Sequence, residues 1–197
     1  MQNLLTKTLP TTIQTDTGVF EPITDFRASI EFEIMVENGE QDIFALMCPY
    51  YPKGLPEGNE AAAVEAAIWL YMCGDEEKKD EFKPIKKNKR AYSFSVDGEA
   101  IYSDFSRFYN IDLTSENLHW WKFKALLSGL PNDSSFKERM YYRICDLNDL
   151  PKKEKKRIAA IRKEIEIKEK ETSKITLEQR NKQMLDYVTK RTKEMRG

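Results

Sequence analysis

His119 is the only histidine in the chain, so proton transfer near neutral pH would rest on a single ring. It stands between Leu118 and Trp120, in a stretch read as mid-helix. A structural role is expected there, with a ring nitrogen bonded to a neighbouring carbonyl or carboxylate. A metal site at His119 would need acids or thiols at ligand spacing. Cys48, Cys73 and Cys145 are odd in number, widely separated and form no C-x-x-C pair. Neither a zinc site nor a disulfide framework is expected. Acid pairs such as Glu31 and Glu33 are explained by the abundance of carboxylates, 33 in all, and read as a solvated face. The sequence has no P-loop, no G-x-G-x-x-G, no G-x-S-x-G and no H-E-x-x-H. Lys86, Lys87, Lys89 and Arg90, followed by Tyr92, have the chemistry to meet a nucleic-acid backbone. They form one short patch within an acidic body, so nucleic acid is not the expected partner. The residues point to a protein with no catalytic site and no cofactor.

The distribution of charge is more informative. Residues 1–150 hold 16 Lys/Arg and 25 Asp/Glu, a net of −9, whereas residues 151–197 hold 16 and 8, a net of +8. The overall −1 hides a strong polarity. A basic end of this kind is expected to meet an acidic partner or the chain's own acidic body. The N-terminus lacks the apolar core of a signal peptide, and no apolar run approaches the roughly 20 residues that span a bilayer. No membrane role is expected, and the expected setting is a reducing cytoplasm.

Several elements must position these residues. Thr11 to Thr17 favour a strand, Thr17-Gly18 a turn and Val19-Phe20 a return strand, which predicts a short N-terminal hairpin. Thr24 is a candidate cap for a helix to about Glu37, with Phe26, Ile30, Ile34 and Met35 on one face and Asn38-Gly39 as its stop. A short apolar piece, 43–47, precedes a Pro/Gly-rich loop. Residues 60–73 are alanine-rich and helical, with Val64, Ile68, Trp69 and Met72 as the apolar stripe and Gly74 as the end. Residues 75–90 read as a solvated linker. A second helical group is predicted from Asp97, with Ile101, Phe105, Phe108 and Tyr109 inward. Thr114 then caps 115–128, and Ser135-x-x-Glu138 opens 136–144 as a capping box. From Pro151 the pattern is one or two long charged helices with a weak break at Thr172-Ser173. Their narrow stripes are Ile158, Ile161, Ile165 and then Leu177, Met184, Val188.

Aromatic residues crowd the centre. Trp120 and Trp121 on one helix point about 100° apart, so both are buried only beneath broad cover. Trp69, Trp120, Trp121, Phe123, Tyr141 and Tyr142 are the candidates for core or interface anchors.

The run Leu118-His119-Trp120-Trp121-Lys122-Phe123, extended through Leu127-Ser128-Gly129-Leu130-Pro131, is distinctive. With Thr24-Asp25-Phe26-Arg27, Tyr50-Tyr51-Pro52, Trp69-Leu70-Tyr71 before Cys73-Gly74, Tyr92-Ser93-Phe94 and residues 136–144, it resembles the bacteriophage gene-product-fifteen family of Gram-positive siphophages. The resemblance covers roughly residues 20–150, and Tyr141 stands where it implies a glycine. It implies a gene near that of the tape-measure protein, a position associated with tail assembly chaperones. Such chaperones coat the tape measure before tail-tube subunits polymerise around it. The family carries no catalytic residues to transfer.

The expected fold is therefore mainly α. Residues 1–150 are predicted as a helical body with an N-terminal hairpin, and 151–197 as a basic, extended helical tail. The leading expectation is a tail assembly chaperone in the infected host's cytoplasm that binds the tape-measure protein, with the tail-tube protein as a further partner and a homo-oligomeric state. The alternatives are a structural tail component kept in the virion and a nucleic-acid-binding accessory protein acting through 152–163 or 86–90.

Overall fold

The computed structural model describes residues 4–74, 90–148 and 150–167. The predicted linker, apart from Arg90, and the candidates Leu177, Met184 and Val188 lie outside the described residues, as does the predicted break at Thr172-Ser173. The described chain is mainly helical, with one small antiparallel hairpin. It divides into two compact units. Residues 4–74 and 118–123 form one; 90–117 together with the described part of 124–167 form the other.

In the first unit, β1 (Ile13–Thr15) pairs with β2 (Gly18–Phe20) as the threonine-rich pattern predicts. Ile13 lies opposite Phe20, and both are buried while Val19 faces outward, the period-2 alternation of a one-sided hairpin. Helix α1 (Phe26–Glu37) is capped by Asp25 and not by Thr24: the Asp25 carboxylate accepts the Arg27 N–H at 3.0 Å. Thr24 is otherwise engaged, because its carbonyl accepts the Trp120 N–H. A carboxylate is also the stronger acceptor for the positive end of a helix. The buried face of α1 is Phe26, Ala28, Ser29 and Phe32, while Ile30, Ile34 and Met35 are only half-buried. Small residues at 28 and 29 admit close neighbours, and the Tyr50 hydroxyl donates to Ser29 at 3.0 Å. The helix stops as expected at Asn38, followed by Gly39 with φ +87°.

Helix α2 (Ile43–Met47), capped by Asp42, buries Ile43, Leu46 and Met47. Helix α3 (Glu60–Tyr71) buries Val64 of the predicted stripe but otherwise turns a different face inward. Ala63, Val64, Ala66, Ala67, Leu70 and Tyr71 are buried, whereas Ile68, Trp69 and Met72 are half-buried. Alanines allow close approach, so they take the tightest positions of the core. After α3 both Cys73 and Gly74 adopt positive φ. A Cβ at Gly74 would lie 3.0 Å from ring atoms of both Trp69 and Trp121, so this glycine answers to packing as well as to backbone geometry.

The second unit contains α4 (Phe94–Tyr109), the later residues of α5 (Trp120–Gly129), α6 (Ser135–Ile144) and α7 (Lys152–Glu164). Helix α4 begins three residues before the predicted Asp97. Its buried face includes Asp97 and Asp104 along with Phe94, Ala100, Ile101 and Phe105; Phe108 and Tyr109 are half-buried. Helix α5 starts at Trp120, not after Thr114. Asp112 gathers the Thr114 N–H at 2.8 Å and its hydroxyl at 2.6 Å, a local turn that competes with helix. Helix α6 is capped by Ser134, one residue before the predicted capping box. The Ser135 and Phe136 amides go instead to the Asp104 carboxylate, at 3.1 and 2.8 Å. Position 141 lies within this helix, so no turn forms there. Helix α7 ends at Glu164, and it packs on α6 of its own chain.

Candidate interaction site

The tandem tryptophans finish helix α3. A helix leaves its last carbonyls short of intrahelical donors, and two of these accept indoles, although the Leu70 carbonyl also accepts the Cys73 N–H at 3.0 Å. Trp120 Nε1–H donates to the Tyr71 carbonyl at 2.8 Å, and Trp121 Nε1–H to the Leu70 carbonyl at 2.7 Å. Neighbouring positions on α5 thus reach neighbouring carbonyls of α3. Around them runs a continuous aromatic stack. The Tyr71 ring lies 5.7 Å from Trp120, Trp120 lies 5.8 Å from Phe123, and Phe123 lies 4.8 Å from Phe26, with interplanar angles of 12–14°. Trp121 packs against Trp69 at 5.3 Å.

His119 aligns this assembly. Its Nδ1 accepts the Trp121 N–H at 3.1 Å, which leaves Nε2 as the protonated nitrogen, donating to the Pro10 carbonyl at 3.0 Å. The residue therefore opens α5 as a cap, where the sequence pattern suggested mid-helix; the bond to a neighbouring carbonyl is as expected. Burial holds its pKa below the ordinary 6.5, with the Pro10 bond acting weakly in the opposite sense. A second proton would also place an N–H against the Trp121 N–H. Because the folded pKa lies below the unfolded one, this contribution to stability is complete above about pH 6.5 and declines as pH falls through and below that value. No other side chain has an ordinary pKa in this window. We expect the melting temperature to fall between about pH 7 and pH 5.5, and His119→Asn, which keeps an acceptor for the Trp121 N–H, to flatten that part of the profile. Equal slopes for wild type and variant in thermal melts would contradict this role.

The sequence candidates separate into two sets. Trp120, Trp121 and Phe123 are buried, at 0–1% exposure, and Trp69 and Tyr142 are half-buried; Tyr141 is 56% exposed, as is Ile144 on the same helix. Of the described tail candidates, Ile158 and Ile165 are buried and Ile161 half-buried. Cys48, Cys73 and Cys145 are free thiols. Among the described residues there is no group of three or more His, Cys, Asp or Glu side chains placed to hold a metal ion, and no helix long and apolar enough to cross a membrane.

A second polar centre was not singled out from the sequence. Asp97, fully buried on α4, receives Arg143 of α6 through two bonds of 2.6 and 2.8 Å, and also Arg139 at 3.3 Å. It accepts the Ser93 N–H at 3.0 Å as well. Arg143 further donates to the carbonyls of Ala91 and Ile165. The available signal was an acid pair seven residues apart, Asp97 and Asp104, in phase with Ile101 and Phe105 on the apolar side of a helix.

Residues 5–167 match the family model described as Bacteriophage Gp15 protein. The chain belongs to this family. The matched span takes in the hairpin and all seven described helices, so it extends past the 20–150 of the sequence resemblance and includes α7. No curated protein and no solved structure matches the chain. Membership of the Bacteriophage Gp15 family supports a tail-assembly-chaperone-like role in phage morphogenesis, with partners drawn from the same process.

Proposed function

We propose that this Gp15-family protein is a tail assembly chaperone that binds the tape-measure protein in the infected host's cytoplasm, works without catalysis and leaves before the virion is complete. The family match over residues 5–167 carries the reading. The buried aromatics narrow where a partner is met. Trp120, Trp121 and Phe123 are committed to packing and to the carbonyls of α3, so their part in binding is indirect. Exposed Tyr141 and Ile144, with half-buried Tyr142 beside Tyr141, are the partner-facing apolar residues of α6. Residues 1–150 act as the body and 151–197 as a basic tail, with Leu177, Met184 and Val188 as its further contacts. A homo-oligomer and contact with the tail-tube protein belong to the same reading.

Co-expression with the tape-measure protein of the same phage tests it. The wild-type chain should copurify, and Tyr141→Ala with Ile144→Ala should reduce capture by about tenfold while leaving the melting temperature within a degree or so, since surface changes rarely alter stability by more than about 0.5 kcal/mol. Stoichiometric amounts of the protein in purified virions, measured by mass spectrometry, would favour a retained tail component instead. Lys152, Lys153, Lys156 and Lys163 on the outer side of α7 support the nucleic-acid alternative, which requires a salt-dependent shift of DNA by the purified chain.

A further inference from the structure

Helices α6 and α7 cap each other. Arg162 of α7 donates to the Tyr142 and Cys145 carbonyls at the end of α6, and Arg143 of α6 donates at 2.8 Å to the Ile165 carbonyl at the end of α7. Two helix C-termini, each with partial negative charge, are thus brought together and neutralised by two guanidinium groups. The rest of the docking is sparse. Ile158 and Ile165 are the buried residues among 152–165, Ile161 is half-buried, and Lys152, Lys153, Lys156, Arg157 and Lys163 are exposed. The start of α7 adds Lys155 Nζ on the Asn148 carbonyl, an exposed bond. The helix is therefore covalently tethered at its start and fastened by arginines at its end. Elements with few buried apolar contacts are those that open below the global unfolding threshold.

We propose that α7 opens as a unit, separately from α4 and α6, and that its freed stripe of Ile158, Ile161 and Ile165 takes an amphipathic helix flanked by carboxylates. On the helical wheel Arg157 borders the stripe on one side and Lys155 on the other, and these flanking cations specify the charge of that occupant. The natural occupant rests on the tape-measure reading, whereas the opening itself does not.

Hydrogen exchange on the full-length chain tests the opening. Amides of α7 should exchange at least about tenfold faster than those of α4. Arg143→Lys keeps the charge but not the forked geometry, and should speed α7 about tenfold further. Arg162→Gln, which leaves Asp97 and Arg143 in place, is the second variant should Arg143→Lys fold poorly. Binding is read with a synthetic helical peptide carrying leucine at a and d and glutamate at e and g. When the competent state is a minor fraction, apparent affinity rises in proportion to that fraction. The variant should therefore bind the peptide more tightly by the same factor by which exchange accelerates. Exchange of α7 at the rate of α4 in the wild-type chain overturns the opening. Faster exchange without tighter peptide binding overturns the stripe as the binding surface. Loss of tape-measure capture with both results intact would instead count against the tape-measure reading alone.

Discussion

Trp120→Ala should destabilise the first unit by about 3–5 kcal/mol, the range for removing a large aromatic side chain from a packed interior. Two effects add here. The indole lies between the rings of Tyr71 and Phe123, so its loss opens a gap in a four-ring stack. Its Nε1–H also meets the Tyr71 carbonyl at the end of α3; without it that buried acceptor keeps only the long Cys73 Sγ contact at 3.9 Å, and losing a buried hydrogen bond of this kind costs about 1–3 kcal/mol. Trp121→Ala should fall in the same range through lost packing, including the contact with Trp69, because the Leu70 carbonyl keeps the Cys73 N–H. Trp120→Phe separates the terms: it keeps a ring in the stack and removes the donor, so a loss nearer 1–3 kcal/mol is expected. Since domains are stable by only about 5–15 kcal/mol, the alanine variants should show a large fall in the urea midpoint. Wild-type midpoints for Trp120→Ala would contradict the packing described above.

Asp97→Ala should cost about 3–5 kcal/mol in the second unit, because it strands the Arg143 guanidinium in a buried site with no carboxylate. Removing both partners is different. The double variant Asp97→Ala with Arg143→Met leaves no buried charge, and it should recover a substantial part of that loss. The cycle thus separates the penalty of an orphaned charge from the net worth of the pair. Arg143→Met alone should also release the Ile165 carbonyl, so protease cleavage within 152–165 should rise more than cleavage within α4. Strictly additive single-variant losses, with no recovery in the double, would show that the two side chains do not act as a pair.

Much of the fold was legible because it depends on local chemistry. The Thr-rich segment and Thr17-Gly18 specify a hairpin, Asn38-Gly39 stops α1, and the alanines of 60–73 favour a helix. The absence of recognisable catalytic motifs, the charge polarity and the resemblance to the Gp15 family were also read from residues alone. Caps were less legible, since Thr24 and Asp25, or Ser134 and Ser135, offer adjacent acceptors of nearly equal local merit. Backbone pairing with residues 118–120 assigns Thr24 a different task, and Asp104, 31 residues away, takes the Ser135 amide.

What only tertiary structure decided is which face of each helix is buried and what lies beneath it. Periodicity gave α3 a stripe through Val64, Ile68, Trp69 and Met72, of which Val64 alone is fully buried, and the packed face is built on Ala63, Ala66 and Ala67 beside it. Hydropathy ranks side chains by transfer to oil, but close approach of elements rewards small volume, and that is invisible without the neighbour. The same limit hid Asp97 and Asp104. A buried carboxylate is unfavourable alone and becomes tolerable only with its donors in place, and apart from the Ser93 N–H those donors come from residues 31 to 46 positions further along the chain. The indole bonds to α3 span 49 and 51 residues and follow the same rule. A sequence determines such partners fully, but it does so through the folded arrangement, where the free energy of each polar group depends on what is brought beside it.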